Sequence, residues 1–321
     1  MSRGSAKILI TGATGFVGSA LCPMLRDRAQ IRAALWSKTE EPDLPPFVSP
    51  TVVGSISRAT KWKEALEGID AVIHLAARVH VMREMSRNPL AEFREVNTYG
   101  TETLARAAVA AGVKRFIYLS SIKVNGEQTE PGKPFTENDP PNPQDPYAVS
   151  KLEAERALVE IAEKSALEFV IVRPPIMYGP NVKANFLSLM KLVDRAVPLP
   201  TRSIDNKRSF LFVRNLTDFL ARCLDHARAA NQLFLLSDGH DVSTAELIYT
   251  LAHAMGRRDR QFSFPRPLAK RAARILGAEN IYRRLWKSLQ IDSTKAGERL
   301  DWRPPFCFTE GIEAAVNRYL R

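Results

Sequence analysis

A chain of 321 residues, 45% hydrophobic and 25% charged, has ordinary globular composition and enough apolar material for one large core or two joined lobes. No apolar run nears the ~20 residues of a membrane span, and Cys22, Cys223 and Cys307, odd in number and far apart, exclude a disulfide framework and a zinc spacing and point to reduced thiols in a cytoplasm. The net charge of +11 is uneven: ten Lys or Arg face two acids between Arg257 and Lys287, while the five histidines, His74, His80, His226, His240 and His253, show no ligand spacing, so no metal is expected.

Arg3 and Lys7 precede a short apolar run, Ile8–Ile10, that reads as a first strand rather than a secretory leader. It runs into Gly12-Ala-Thr14-Gly15-Phe16-Val17-Gly18 and a helix over Phe16–Arg28. A glycine turn between strand and helix lets backbone N–H groups approach a pyrophosphate at the positive helix end. A second strand, Ile31–Leu35, ends in Trp36-Ser37-Lys38 with no acid. An acid there would bond an unphosphorylated ribose, whereas a hydroxyl and a cation suit a 2′-phosphate. Strands follow at Thr51–Val53, Ala71–Leu75, Phe116–Leu119 and Phe169–Val172, with helices at Trp62–Leu66, Pro89–Ala111 and Tyr147–Lys164. This alternation predicts a doubly wound parallel α/β sheet of the Rossmann type.

The strand at 116–119 ends in two hydroxyls, Ser120 and Ser121, at the carboxyl edge where such sheets bind ligands. A proline-rich stretch, Glu127–Pro146, should arch over that edge. Tyr147 and Lys151 then stand one helical turn apart on one face. A cation beside a phenol lowers its pKa, and a phenolate can move protons to and from an alcohol.

Beyond Arg173-Pro-Pro175 the pattern is mixed: a helix at Phe186–Asp194, short strands at Phe210–Val213 and Leu233–Leu236, a capped helix from Ser243 to about Met255, and a final helix at Thr309–Tyr319. The division expected is a dinucleotide-binding domain over 1–173 and a smaller substrate lobe over 174–321, with crossings between lobes allowed. In the basic segment 257–287, Leu268, Ala272, Ile275 and Leu276 share a helical face that Lys270, Arg271 and Arg274 avoid. A solvated surface helix accounts for this; anionic lipid or a membrane-bound partner is the alternative. No base-reading module accompanies the charge, so nucleic acid is not expected.

With these residues in place the chain resembles the extended short-chain dehydrogenase/reductases, specifically the NAD-dependent epimerase/dehydratase family of sugar-nucleotide enzymes. The resemblance rests on Thr11-Gly-Ala-Thr-Gly-Phe-Val-Gly18, His74-Leu-Ala-Ala77, Asn97-Thr-Tyr-Gly-Thr101, Leu119-Ser-Ser121, Pro146-Tyr-Ala-Val-Ser-Lys151, Arg173-Pro174, Tyr178-Gly-Pro180 and Asp292-Ser-Thr-Lys-Ala296. It implies Tyr147 as acid/base, Lys151 on the nicotinamide ribose and Ser121 bonding the reacting oxygen. It implies cofactor contacts from Gly12, Thr14, Gly15, Phe16, Val17, Gly18, Trp36, Ser37, Lys38, Leu75, Ala76, Ala77 and Arg173. Ser55 and Ile56 stand where relatives touch adenine. Ser120, Lys123, Asn185 and Arg208 are implied at the substrate, the last two on its diphosphate.

Two departures narrow the reading. Ile122-Lys123 replaces the Asp-Glu pair of dehydratases, and no acid ends the second strand as it does in NAD-bound epimerases. Together with Ser120–Gly126, Lys183–Phe186 and Ile204–Ser209, they make the resemblance point first to reductases of a UDP-linked 4-keto-6-deoxy-N-acetylhexosamine in surface-polysaccharide synthesis, cytoplasmic and using NADP(H). The alternatives are a UDP-hexose 4-epimerase holding NAD tightly and, from another class, a non-catalytic dinucleotide-binding protein. The family's habit implies a homodimer paired through the helices at 89–111 and 147–164.

Overall fold

The computed structural model describes residues 6–79, 88–130, 132–275, 277 and 279–321; Arg3, His80 and Leu276, singled out above, lie outside them. Its centre is a parallel sheet built from β1 (Ala6–Thr11), β2 (Ala29–Leu35), β3 (Val48–Val52), β4 (Ala71–His74), β5 (Arg115–Leu119), β6 (Glu168–Arg173) and β9 (Gln232–Leu235). The spatial order is β3-β2-β1-β4-β5-β6-β9, and β7 (Ile176–Tyr178) and β8 (Phe210–Phe212) form a separate parallel pair. The order reverses at β1, which pairs with β2 on one side and β4 on the other. That reversal opens a crevice at the carboxyl ends, where the glycine turn lies.

Helices cover both faces, so the central strands are apolar throughout: every residue of β4 and β5 is buried. One face packs Leu21, Leu216 and Phe219; the other packs Trp62, Leu104, Phe116 and Leu158. All six strands expected in the first half are present, each within a few residues of its expected bounds.

Four differences stand out. The first helix stops at Met24 rather than Arg28, the next N–H groups turning to i−3 bonds from Arg26 to Pro23 and from Arg28 to Leu25. The stretch expected as one helix over 89–111 is helical throughout but widens into a π-turn at Arg94–Tyr99, flanked by Pro89–Phe93 and Gly100–Ala110. The strand expected at 233–236 does not stay with the second half; β9 extends the main sheet beside β6, pairing Val172 with Phe234. Helices at Val213–Cys223, Glu279–Trp286 and Thr294–Leu300 and the three-residue β7 were not anticipated.

No helix among the described residues is long and apolar enough to cross a membrane.

Candidate active site

The glycine turn is a cradle with no room for side chains. Gly12 has φ +71, and a Cβ there would lie 2.9 Å from the backbone N of Ala76. A Cβ on Gly18 would lie 2.2 Å from the Gly12 carbonyl oxygen. The helix that follows, Phe16–Met24, has Gly15 as N-cap, no side-chain cap and no acid in its first turn, so its positive end is left for an anion. The loop after β4 closes against this turn, with Ala76 N–H donating to Thr11 Oγ1 at 3.1 Å and Leu75 N–H to Thr11 O at 3.2 Å. Leu75, Ala76 and Ala77 are thereby held over the cradle, half-buried.

His74 is the pin beneath that loop. Thr11 Oγ1 lies 2.6 Å from its Nδ1 and Thr101 Oγ1 3.0 Å from its Nε2. Thr101 spends its own proton on Asn97 O, so the network assigns the proton to Nε2 of the ring. Burial, with the Lys151 charge adding to it, pushes the imidazole down to about 3. It is a neutral structural bridge between β1, β4 and the helix from Gly100.

The end of β2 carries a correction. The turn after it brings in Glu40, whose Oε2 accepts from Trp36 N–H at 2.6 Å and whose Oε1 accepts from Thr14 Oγ1 at 3.3 Å. A carboxylate therefore stands beside the glycine turn after all, supplied five residues after the strand end. Ser37 Oγ is turned to Thr39 Oγ1 at 2.5 Å, and Trp36 itself is largely exposed. Lys38 is exposed and Ser55 likewise, while Ile56 packs against Gly100, where a Cβ would meet its Cγ2 at 2.5 Å.

The three side chains expected to act in catalysis, Ser121, Tyr147 and Lys151, converge where β5 ends. Asp145 caps the helix Pro146–Glu163 by accepting from Ala148 N–H at 2.7 Å, and Pro146 fills its first position. This cap fixes Tyr147 at the helix entrance. The Tyr147 ring meets Phe93 edge-on, centroids 6.1 Å apart, and its phenol hydrogen-bonds Ser121. One turn on, Lys151 is fully buried; its Nζ donates to Leu119 O at 2.7 Å and lies 4.1 Å from the centre of the Tyr118 ring.

The electrostatics differ from the expectation of a lowered phenol. Burial, with the Asp145 carboxylate adding to it, pushes Tyr147 up to about 12, and the Ser121 hydrogen bond pulls the other way. Lys151 is pushed down to about 7 by burial, opposed by the Glu155 carboxylate. The arrangement is a protonated phenol beside an amine that titrates near neutrality.

Three expected ligand contacts are occupied within the protein. Arg173 donates Nε and Nη2 to Glu155 at 2.9 and 2.5 Å and Nη1 to Asn125 Oδ1 at 2.8 Å, buried beneath the site rather than open to a cofactor. Ser120 bonds Glu155 and is buried with it. Lys123 is held by Asp145, with Glu127 at 3.5 Å. In each case a carboxylate nearby in space but remote in sequence claims the side chain.

Arg208 is different. Its guanidinium is buried and donates Nη1 to the carbonyls of Arg284 at 3.2 Å and Lys287 at 3.0 Å. No carboxylate pairs with it among the described residues, and burial with Arg284 nearby pushes it down to about 10. Asn185 is exposed at the start of the helix Ala184–Asp194, whose first turn has neither acid nor side-chain cap.

The residues that pattern reading missed are Glu40, Asp145, Asn97 and Asn125. Asn97 lies on the π-turn and bridges Arg78 O and Ser150 Oγ, each at 3.0 Å. Only Asp145 had a local signal, an acid just before Pro146 at a helix start.

A family model described as the NAD dependent epimerase/dehydratase family matches residues 8–236. A protein of Vibrio cholerae named UDP-glucose 4-epimerase is 44% identical over 317 residues, covering 98% of this chain and 95% of its own. A GDP-6-deoxy-D-mannose reductase of Pseudomonas aeruginosa is 32% identical over 257 residues, covering 77% of this chain and 79% of its own. The crystal structure of UDP-glucuronic acid 4-epimerase from Bacillus cereus in complex with NAD superposes with TM-score 0.75 at 20% identity over 97% of this chain and 98% of that one, a likeness of fold.

Proposed function

The chain belongs to the NAD-dependent epimerase/dehydratase family and is a nucleotide-sugar enzyme of that type, and on that premise we propose that it inverts C4 of a UDP-linked hexose, holding NAD through the cycle. The observation that carries this reading is the Glu40 carboxylate beside the glycine turn. A carboxylate there accepts from an unphosphorylated ribose and repels a 2′-phosphate. The 44% identical relative, named as a 4-epimerase, points the same way.

The cradle fits a dinucleotide: Gly12 and Gly18 leave space that a Cβ would fill, and the helix from Phe16 offers its N–H groups to a pyrophosphate. NAD, when bound, supplies the hydride acceptor and donor at C4. The chain's own residues manage the proton. Tyr147 exchanges one with the C4 oxygen, and Ser121 donates to the same oxygen as charge develops. The buried Lys151 ammonium supplies positive charge that favours the ionised phenol and bonds the nicotinamide ribose. Leu75, Ala76 and Ala77 wall the dinucleotide, and Ser55 and Ile56 flank its adenine. Arg208, a buried cation with no carboxylate partner among the described residues, takes the diphosphate, and Asn185 is assigned to the same group.

A second reading, reduction of a 4-keto sugar nucleotide with NADP(H), is favoured by the hydroxyl and cation of Ser37 and Lys38 at the end of β2. The deciding experiment incubates the purified protein with UDP-glucose or UDP-N-acetylglucosamine and no added cofactor, following the sugar by NMR. Appearance of the C4 epimer supports the epimerase. No epimer, with stoichiometric NADPH consumption on a UDP-4-keto-6-deoxy sugar, supports the reductase.

A further inference from the structure

The ten-residue helix Arg266–Ile275 buries none of its residues. A surface helix normally turns its apolar stripe inward, yet here Leu268 is 52% exposed and Ile275 74% exposed. They are seven residues apart, two turns along one face, and the exposed Arg271 borders that face. Lys270 and Arg274 are exposed on the flank. The helix Glu279–Trp286 lies against it and adds exposed Arg283 and Arg284. Its Tyr282 and Trp286 stack with centroids 5.6 Å apart, both half-buried. Apolar side chains facing solvent, set among cations and next to amphipathic aromatics, are the pattern of a helix lying in a membrane interface.

We propose that these two helices dock the protein on an anionic membrane surface, with Leu268 and Ile275 entering the headgroup layer and the surrounding Lys and Arg meeting lipid phosphates. The segment 257–287 carries a net +8 of the chain's +11, which is the charge complement of an anionic leaflet. The same charge argues against a second copy of the chain, because a two-fold contact would set this basic patch against itself. A polyanion in solution would satisfy the charge and leave the outward apolar pair unexplained. The surface adjoins the proposed diphosphate site, since Arg208 donates to the carbonyls of Arg284 in the second helix and of Lys287 just beyond its end. Docking thus holds that site near the lipid, and the inference does not depend on which C4 reaction is run.

The test is flotation of the full chain with vesicles of phosphatidylcholine, with and without phosphatidylglycerol. Binding is expected only where phosphatidylglycerol is present, and is expected to fall as salt rises. The double variant Lys270→Glu/Arg271→Glu should weaken it by at least about tenfold. Ile275→Ser should weaken it several-fold while its binding to heparin stays as in wild type; at 74% exposure this change spares the core. Thermal midpoint and turnover of a soluble UDP-hexose, measured on the same preparations, should match wild type. No binding to anionic vesicles, equal binding to neutral ones, or a Ile275→Ser protein that floats as wild type overturns the proposal.

Discussion

The carboxylate of Glu40 accepts a 2.6 Å hydrogen bond from the backbone N–H of Trp36, folding the turn after β2 back over the strand's end. The same carboxylate reaches Thr14 in the glycine turn. The ribose of a bound dinucleotide would therefore meet an acid, although Trp36, Ser37 and Lys38 lack one.

Cofactor preference should follow. Wild-type protein stripped of nucleotide is expected to bind NAD more tightly than NADP. Glu40→Ala should narrow that gap by about ten- to a hundredfold, the worth of a charged hydrogen bond and the repulsion it replaces. Calorimetric titration with each dinucleotide gives the answer. A wild-type preference for NADP would remove Glu40 from this role and restore Ser37 and Lys38.

Tyr147→Phe should lower turnover by about 10²–10⁴-fold while NAD affinity stays within a few-fold of wild type, since only the proton path is lost. Ser121→Ala removes one donor to the reacting oxygen and should cost less than Tyr147→Phe. Steady-state kinetics beside cofactor titration separates the two effects, and unchanged turnover in Tyr147→Phe would sink the assignment.

Lys151 gives a pH signature. Its folded-state pKa is depressed to about 7 from an ordinary value near 10.5. The ammonium is therefore mostly present below pH 7 and is lost above it, a window far below that of an exposed lysine. NAD binding should weaken by about three- to tenfold as pH rises from 6 to 9, the difference between a charged and a neutral donor. Lys151→Met should bind weakly and without that slope. The readout is the Kd for NAD as a function of pH.

Arg208→Ala should raise the KM for the sugar nucleotide about ten- to a hundredfold and leave NAD affinity unchanged, because a buried bidentate donor to phosphate is lost. Arg208→Lys should recover part of the loss, keeping the charge but not the fork. Equal affinity for UDP in wild type and Arg208→Ala would exclude the contact.

The buried pair Glu155–Arg173 predicts a stability effect. Both side chains are 5% exposed, and Ser120 and Asn125 complete the network. Glu155→Ala leaves the guanidinium buried without its counterion and should destabilise the protein by about 3–5 kcal/mol in denaturant titrations. A variant within about 1 kcal/mol of wild type would show that water enters the site and compensates.

What was legible in the sequence were features whose cause is local. Gly12 and Gly18 announce a backbone turn, Tyr147 and Lys151 announce a shared helical face, and the β-branched runs announce buried parallel strands. What was not legible depends on distance through space. Glu40 reaches Thr14 in the glycine turn only because a 3₁₀ turn folds Lys38–Asp43 back, and Arg173 is buried against Glu155, which lies on another element. The outward aim of Leu268 and Ile275 is equally invisible to periodicity, which shows that a face exists but not which way it points.

The position of β9 ties the two halves of the chain to one fate. Between β6 and the strand that covers it run the β7–β8 pair and two helices, so the segment after Arg173 must return before the sheet is complete. A fragment ending at Arg173 would leave Val170, Ile171 and Val172 as a bare sheet edge, ready to recruit any extended strand nearby. During synthesis the first half would therefore wait, incomplete and adhesive, until about sixty further residues had emerged. A translational pause in that interval would favour aggregation, and a chaperone that shields sheet edges would be most useful there.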